Sequence, residues 1–188
     1  PDATSVYAIE SNQDRIYLVG NNAVTMYRYS RAANTWTTLA PTTARAAAPA
    51  AGASLNWVGK TGDANWALEA DIKDGRYLYS VRGGASTVID RYDIAGGTAG
   101  AGAWLALAYP GATETFTTGS SADWSGRYIY IRKDATNRFF KFSVRGNYME
   151  ALATNLYADG AAVLGRKIWV KDYDGTDTLK WLYSLRNT

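Results

Sequence analysis

The chain has 188 residues, 47% of them hydrophobic, and a formal net charge of +3 from 20 Lys and Arg against 17 Asp and Glu. That is enough for one domain with a packed core, and the mild, dispersed charge argues against a nucleic-acid groove. Histidine and cysteine are both absent, which excludes disulfides, Cys or His zinc sites, Ser-His-Asp triads, cysteine nucleophiles and haem attachment. No apolar run approaches the length of a membrane-spanning helix, and Pro1-Asp2-Ala3-Thr4 lacks the basic-then-apolar order of a signal peptide.

The 14 Tyr, 7 Trp and 4 Phe suit pleated, half-buried surfaces, and the 18 Gly imply many tight turns. In chain order, strands are expected at Ser5 to Ile9, Arg15 to Val19, Met26 to Ser30 and Thr35 to Leu39. An Ala-rich stretch from Pro41 to Ala53 follows, and its two prolines favour an extended loop over a helix. A second set reads Trp66 to Ala70, Arg76 to Val81, Ile89 to Asp93 and Ala103 to Leu107, with a flexible glycine-rich tip from Gly96 to Gly102. A third reads Phe116 to Trp124 more loosely, then Arg127 to Ile131, Phe139 to Ser143 and Asn147 to Leu152. A fourth has Ala161 to Leu164, Arg166 to Val170 and Trp181 to Ser184, and then the sequence stops. No segment has convincing helical periodicity.

These sets are copies of one unit. Each has a turn residue and Arg opening a strand, then a second strand whose aromatic (Tyr29, Tyr92, Phe142, Tyr183) lies 14, 16, 15 and 17 residues after that Arg. Near-constant spacing with variable connections describes hairpins repeated in tandem. The defining positions are Arg15, Tyr17, Tyr29 and Trp36; Arg76, Tyr77, Tyr92 and Trp104; Arg127, Tyr128 and Phe142; and Arg166, Trp169 and Tyr183.

Arg15-Ile16-Tyr17-Leu18-Val19-Gly20, Tyr27-Arg28-Tyr29 and Asn34-Thr35-Trp36-Thr37-Thr38-Leu39-Ala40-Pro41 resemble a kelch repeat in order and spacing. The second unit is similar and keeps Gly83-Gly84, whereas the third has Tyr148 in place of the Trp and the fourth ends before that strand. The resemblance implies an all-β fold, a kelch-like β-propeller or open propeller arc of about four blades with the last incomplete. It would form a single domain over 1–188, with blades near 5–40, 64–108, 115–153 and 161–188. Such a sheet buries both faces, so Tyr17 and Val19 should face one neighbour, with Ile16 and Leu18 facing the other.

Propellers host many functions. Glu69 and Asp71 alternate on one expected strand face beside Asp74, and with Glu150 they are the candidates for carboxylate acid–base chemistry of the glycosidase kind. Solvated charge at a sheet rim explains them more simply. Asp172-Tyr173-Asp174-Gly175-Thr176-Asp177 is an acidic spot with calcium-loop features, but it lacks the bidentate Glu and reads better as an Asp-Gly hairpin turn. Arg76, Arg127 and Arg166 could imitate the arginine cluster of sialidase-like propellers; their recurrence in each unit marks them instead as structural, stacking on aromatics. Copper-radical propeller oxidases need His ligands, which this chain does not have. Trp57, Trp66, Trp124 and Tyr157 could form a sugar-stacking surface, although most such residues should be core.

The expectation is a non-catalytic structural or assembly protein without a cofactor or metal. It would bind copies of itself or the neighbouring proteins of a larger particle, with no membrane or nucleic-acid partner. The runs Tyr-Arg-Tyr-Ser and Asn-Thr-Trp-Thr-Thr-Leu-Ala resemble, more softly, kelch-like virion proteins of tailed bacteriophages, implying a virion location. A glycan-binding module is the alternative, and a propeller-type glycoside hydrolase a weaker one.

Overall fold

The computed structural model describes residues 6–12, 15–20, 25–50, 53–58, 76–97, 101–117, 120–125, 128–133, 136, 138–152, 168–173 and 179–184. Every regular element among them is a β-strand. β1 (Val6–Asn12), β2 (Arg15–Gly20), β3 (Met26–Ser30) and β4 (Thr35–Leu39) form the first sheet. The second holds β5 (Asn56–Val58), β6 (Tyr77–Val81), β7 (Ile89–Asp93) and β8 (Ala103–Ala106). The third holds β9 (Ser121–Ser125), β10 (Tyr128–Arg132), β11 (Phe139–Ser143) and β12 (Tyr148–Ala151). β13 (Ile168–Tyr173) and β14 (Leu179–Ser184) pair with each other.

All pairings between these strands are antiparallel, and each four-stranded sheet runs in simple sequence order. β1 lies beside β5, β5 beside β9, and β9 beside β13, so the first strands of successive four-stranded sheets are neighbours.

The registers superimpose. Ile16 faces Tyr29, Leu78 faces Tyr92 and Ile129 faces Phe142; one step on, Tyr17 faces Arg28, Tyr79 faces Arg91 and Tyr130 faces Lys141. Period-two alternation then sends these pairs to opposite faces. Tyr17, Val19 and Met26 leave the first sheet to meet Leu78, Tyr92 and Trp104 of the second in one buried cluster. Tyr79, Val81 and Ile89 leave the opposite face of the second sheet to meet Ile129, Ile131, Phe140 and Phe142 of the third. Tyr130 and Phe139 stack on the far face of the third sheet, with ring centroids 5.9 Å apart. The expected facing of Tyr17 and Val19 is therefore found; Leu18 is buried too, but outside that cluster.

The turn into each third strand has its own repeated chemistry. Asn34 (φ 51°), Gly102 (φ 78°) and Asn147 (φ 51°) stand immediately before β4, β8 and β12 in the left-handed region, which Gly enters without strain and Asn tolerates. At Gly102 a Cβ would fall 2.1 Å from the Tyr92 ring. Tyr92 donates to the Ala101 carbonyl at 2.8 Å, and Tyr29 donates to Asn34 Oδ1 at 2.6 Å, so the second-strand tyrosine holds the turn in both sheets.

Four sequence expectations change. The residue of the third sheet at the Trp36 position is Met149, opposite Phe142, and not Tyr148. The strand paired with β6 is Asn56–Val58, upstream of the expected Trp66 to Ala70, which lies outside the described residues as Ala161 to Leu164 does. Asn56–Val58 pairs along that edge, directly after Leu55, which is in the core. Phe116 is not strand but a fully buried plug on a single bridge to Ser86, and β9 starts only at Ser121. Arg15 is not equivalent to Arg76. It lies within β2 opposite Ser30, where the other sheets place Tyr77 and Tyr128, whereas Arg76 precedes its strand. The loop expected over Pro41 to Ala53 is free of helix throughout its described part.

Phe142 is fully buried between Tyr79 and Tyr109, with centroids 6.3 and 5.3 Å away. Phe142→Ala should cost about 3–5 kcal/mol in urea denaturation, while Leu105→Ala, at a half-exposed position, should stay within about 0.5 kcal/mol.

Candidate interaction surface

Two connections determine what the sheets leave open. The one leaving the first sheet runs along the outer strand of the second. Thr42 N–H donates to the Gly102 carbonyl at 2.9 Å, and Trp104 N–H donates to the Thr43 carbonyl at 3.0 Å. The connection leaving the second sheet does the same to the third, where Met149 N–H donates to the Pro110 carbonyl at 3.5 Å and Asn147 Nδ2 donates to the Ala108 carbonyl at 2.7 Å. Tyr109, carried on it, packs edge-on against Phe142 and donates to the Thr87 carbonyl; burial pushes its phenol up to about 12.

The first connection inserts a charge. Arg45, only 3% exposed, donates from Nε to Asp90 Oδ2 at 2.7 Å and from Nη2 to Ser80 Oγ at 2.7 Å. Its guanidinium lies over the Trp104 ring at 4.7 Å. Arg82 grips the same carboxylate, with Nη2 to Oδ1 at 2.6 Å and Nε to Oδ2 at 3.0 Å. Burial pushes the Arg45 guanidinium below its ordinary value against the opposing pull of Asp90, and Arg45 Nη1 has no hydrogen-bond partner among the described residues. Tyr92 packs against Trp104, and burial, then Tyr17, raises its phenol well above its usual range.

The first sheet has the same ladder without the same cover. Trp36 faces Tyr29 as Trp104 faces Tyr92, and the ring pairs are similar, with centroids 5.3 and 5.0 Å apart. Yet Trp104 is 4% exposed and Trp36 is 40% exposed. Thr35, Thr37 and Thr38 beside it are exposed as well. Tyr29, Asn34 and the β4 threonines thus make an uncharged aromatic and hydroxyl surface around a strand edge that pairs with no other strand among the described residues.

The other sequence candidates are dispersed. Arg76 makes a bidentate pair with Asp93, at 2.9 and 2.8 Å, and stacks over Tyr77 at 5.2 Å, the structural part expected of it. Arg127, Arg166, Glu69, Asp71, Asp74, Trp66, Tyr157, Asp174 and Asp177 lie outside the described residues. Asp172 falls within β13 and Trp57 within β5, and Trp169 faces Tyr183 across β13 and β14. Glu150 sits on outer strand β12 opposite Lys141 and pairs with it at 3.2 Å. Trp124 is half-buried against the cluster between the second and third sheets. Among the described residues no three Asp or Glu gather in the manner of a metal site.

Arg45, Arg82 and Asp90 were missed by motif reading, as was Tyr109, and Phe116 was read as the start of a strand. The available signal was slight: a lone Arg in an Ala, Thr and Pro run, and an Asp that shares a strand face with Tyr92.

No family model matches the chain, and no curated protein matches it. Its structure is similar to larger solved ones, among them the following three. A protein of unknown function from Bacteroides thetaiotaomicron has a TM-score of 0.51 and 11% identity, over 87% of this chain and 35% of that one. An auxiliary nutrient binding protein from the same organism has a TM-score of 0.52 and 12% identity, over 86% and 42%. Kuenenia stuttgartiensis hydrazine synthase has a TM-score of 0.50 and 10% identity, over 82% and 38%. The chain spans less than half of each, and at these identities the likeness is one of fold alone.

Asp90→Ala should cost about 3–5 kcal/mol in chemical denaturation, because it strands two guanidinium groups, one of them fully buried. Asp93 supplies the pH dependence. The Arg76 hydrogen bonds, helped by the backbone N–H groups of Ala95 and Gly96 and opposed by burial, hold its carboxyl below the usual range. Its contribution is complete above the unfolded carboxylate value of about 3.9 and disappears as pH falls through the lower folded value. Acid titration of stability should therefore be shallower for Asp93→Asn than for the parent.

Proposed function

We propose that this chain is a non-catalytic, propeller-type assembly module whose first sheet receives a protein neighbour. The observation that carries this reading is the contrast at one register position: Trp104 is buried against the first sheet and beneath Arg45 of the connection, and Trp36 is left 40% exposed. Three sheets with superimposable registers, burial between consecutive faces and neighbouring first strands support the propeller geometry. The kelch-like order of the strands supports it further. An exposed aromatic beside an open edge is a surface that proteins either protect or use.

The neighbour proposed is another copy, in a larger particle. The soft resemblance to kelch-like proteins of tailed-phage virions supports a virion as that particle. The Tyr29–Trp36 pair is the specific observation that favours the glycan reading, but its rings are tilted by 47° and offer no flat platform. The adjoining strand edge suits a polypeptide better. A hydrolase reading finds little support in Glu150, which is engaged with Lys141.

Size exclusion with light scattering at micromolar concentration should give a mass above the 20.4 kDa of one chain, and Trp36→Ala should move the distribution toward that mass. A parent chain that stays monomeric across this range would exclude self-assembly. Saturable binding on a glycan array that is abolished by Trp36→Ala would favour the alternative.

A further inference from the structure

The connections that cover the second and third sheets specify what fits the first. In each, the N–H of the residue at the Trp36 position (Trp104, Met149) points away from the sheet and is taken by a carbonyl of an incoming extended segment. In the second sheet the carbonyl two residues earlier, on Gly102, accepts an N–H from the same segment. The register places the Asn34 carbonyl and the Trp36 N–H in the corresponding outward positions, and no backbone group among the described residues bonds to either. β4 reads Thr-Trp-Thr-Thr-Leu, without the Lys, Pro or other charge that normally guards an open edge.

We propose that β4 seats an extended polypeptide segment from a neighbouring molecule, with the chemistry of the segment that covers β8: proline, small residues, then a cation over the tryptophan. This rests on the assembly reading above and names the contact it would use. The segment accepts from Trp36 N–H and donates to the Asn34 carbonyl, as Thr43 and Thr42 do at β8. The cation covers the Trp36 ring as Arg45 covers Trp104. Its surroundings differ in one respect. The positions of Ser80 and Asp90 are taken in the first sheet by Leu18 and Tyr27, so neither position supplies a carboxylate and the Trp36 ring face receives the charge. That makes the contact a reversible one, unlike the buried ion pair of the second sheet.

The probe is a dye-labelled synthetic peptide with the sequence of residues 39–48, Leu-Ala-Pro-Thr-Thr-Ala-Arg-Ala-Ala-Ala, titrated with the full chain by fluorescence anisotropy. Saturable binding is expected. Replacing the peptide's Arg with Ala, or Trp36→Ala in the protein, should weaken it about fivefold, the scale of one exposed cation–π contact. Thr38→Pro should abolish it, because alternation points the Thr38 N–H outward too, and an edge strand tolerates proline where its N–H faces solvent. Circular dichroism of this variant should match the parent's. No saturable binding to the parent chain up to millimolar concentration, or equal binding to a folded Thr38→Pro variant, overturns the assignment. Peptide binding by a chain that never self-associates would sustain the assignment and overturn the assembly reading instead.

Discussion

A sheet with large apolar side chains on both faces cannot stand alone in water, and the rest of this structure follows from that constraint. The second sheet sends Leu78, Tyr92 and Trp104 one way and Tyr79, Val81 and Ile89 the other. Each such side chain is worth roughly 2 kcal/mol when removed from water, so both faces must be covered by something of matching shape. Tandem copies of one register solve this economically, because the forward face of each copy has the shape that the backward face of the next requires.

Within that apolar stacking, the Arg45–Asp90–Arg82 group is the polar exception. A buried ion pair seldom adds net stability against well-packed apolar residues of the same volume, but removing one partner is expensive. Its effect is to specify. The carboxylate accepts from Arg45 and Arg82 together, and Arg45 reaches it only if the first connection lies along β8 in one register. The pair thus fixes how the first two sheets sit together, which the interchangeable contacts of Tyr, Leu and Val would leave looser.

Strand order, the central place of β2, β6 and β10, and the equivalence of Tyr29, Tyr92 and Phe142 were legible in the sequence, because period-two alternation and hairpin spacing are local signals. Failures came where the deciding interaction was non-local. Asn56 to Val58 is too short a run to stand out by pattern, and only its pairing with β6 identifies it as a strand. Arg15 and Arg76 look identical in the sequence, yet a one-residue difference in register puts them at different rungs. Phe116 resembles the beginning of a strand and is instead a plug between two sheets. Most tellingly, Trp36 and Trp104 have the same sequence surroundings in outline. Their difference in exposure depends on what packs over them, which for Trp104 is the first sheet as well as Arg45 of the connection, and no window around either residue contains that.

The connections have one more consequence, for where this molecule could be divided. Residues 42–45 follow the first sheet in the chain but complete the edge and core of the second, and residues 108–110 stand in the same relation to the third. The stretch that is duplicated is therefore out of phase with the stretch that is complete in three dimensions. A cut placed neatly after β4 or β8 would strip the following half of its outer seam, so recombination between relatives should be better tolerated inside hairpins than at the visible boundaries between sheets.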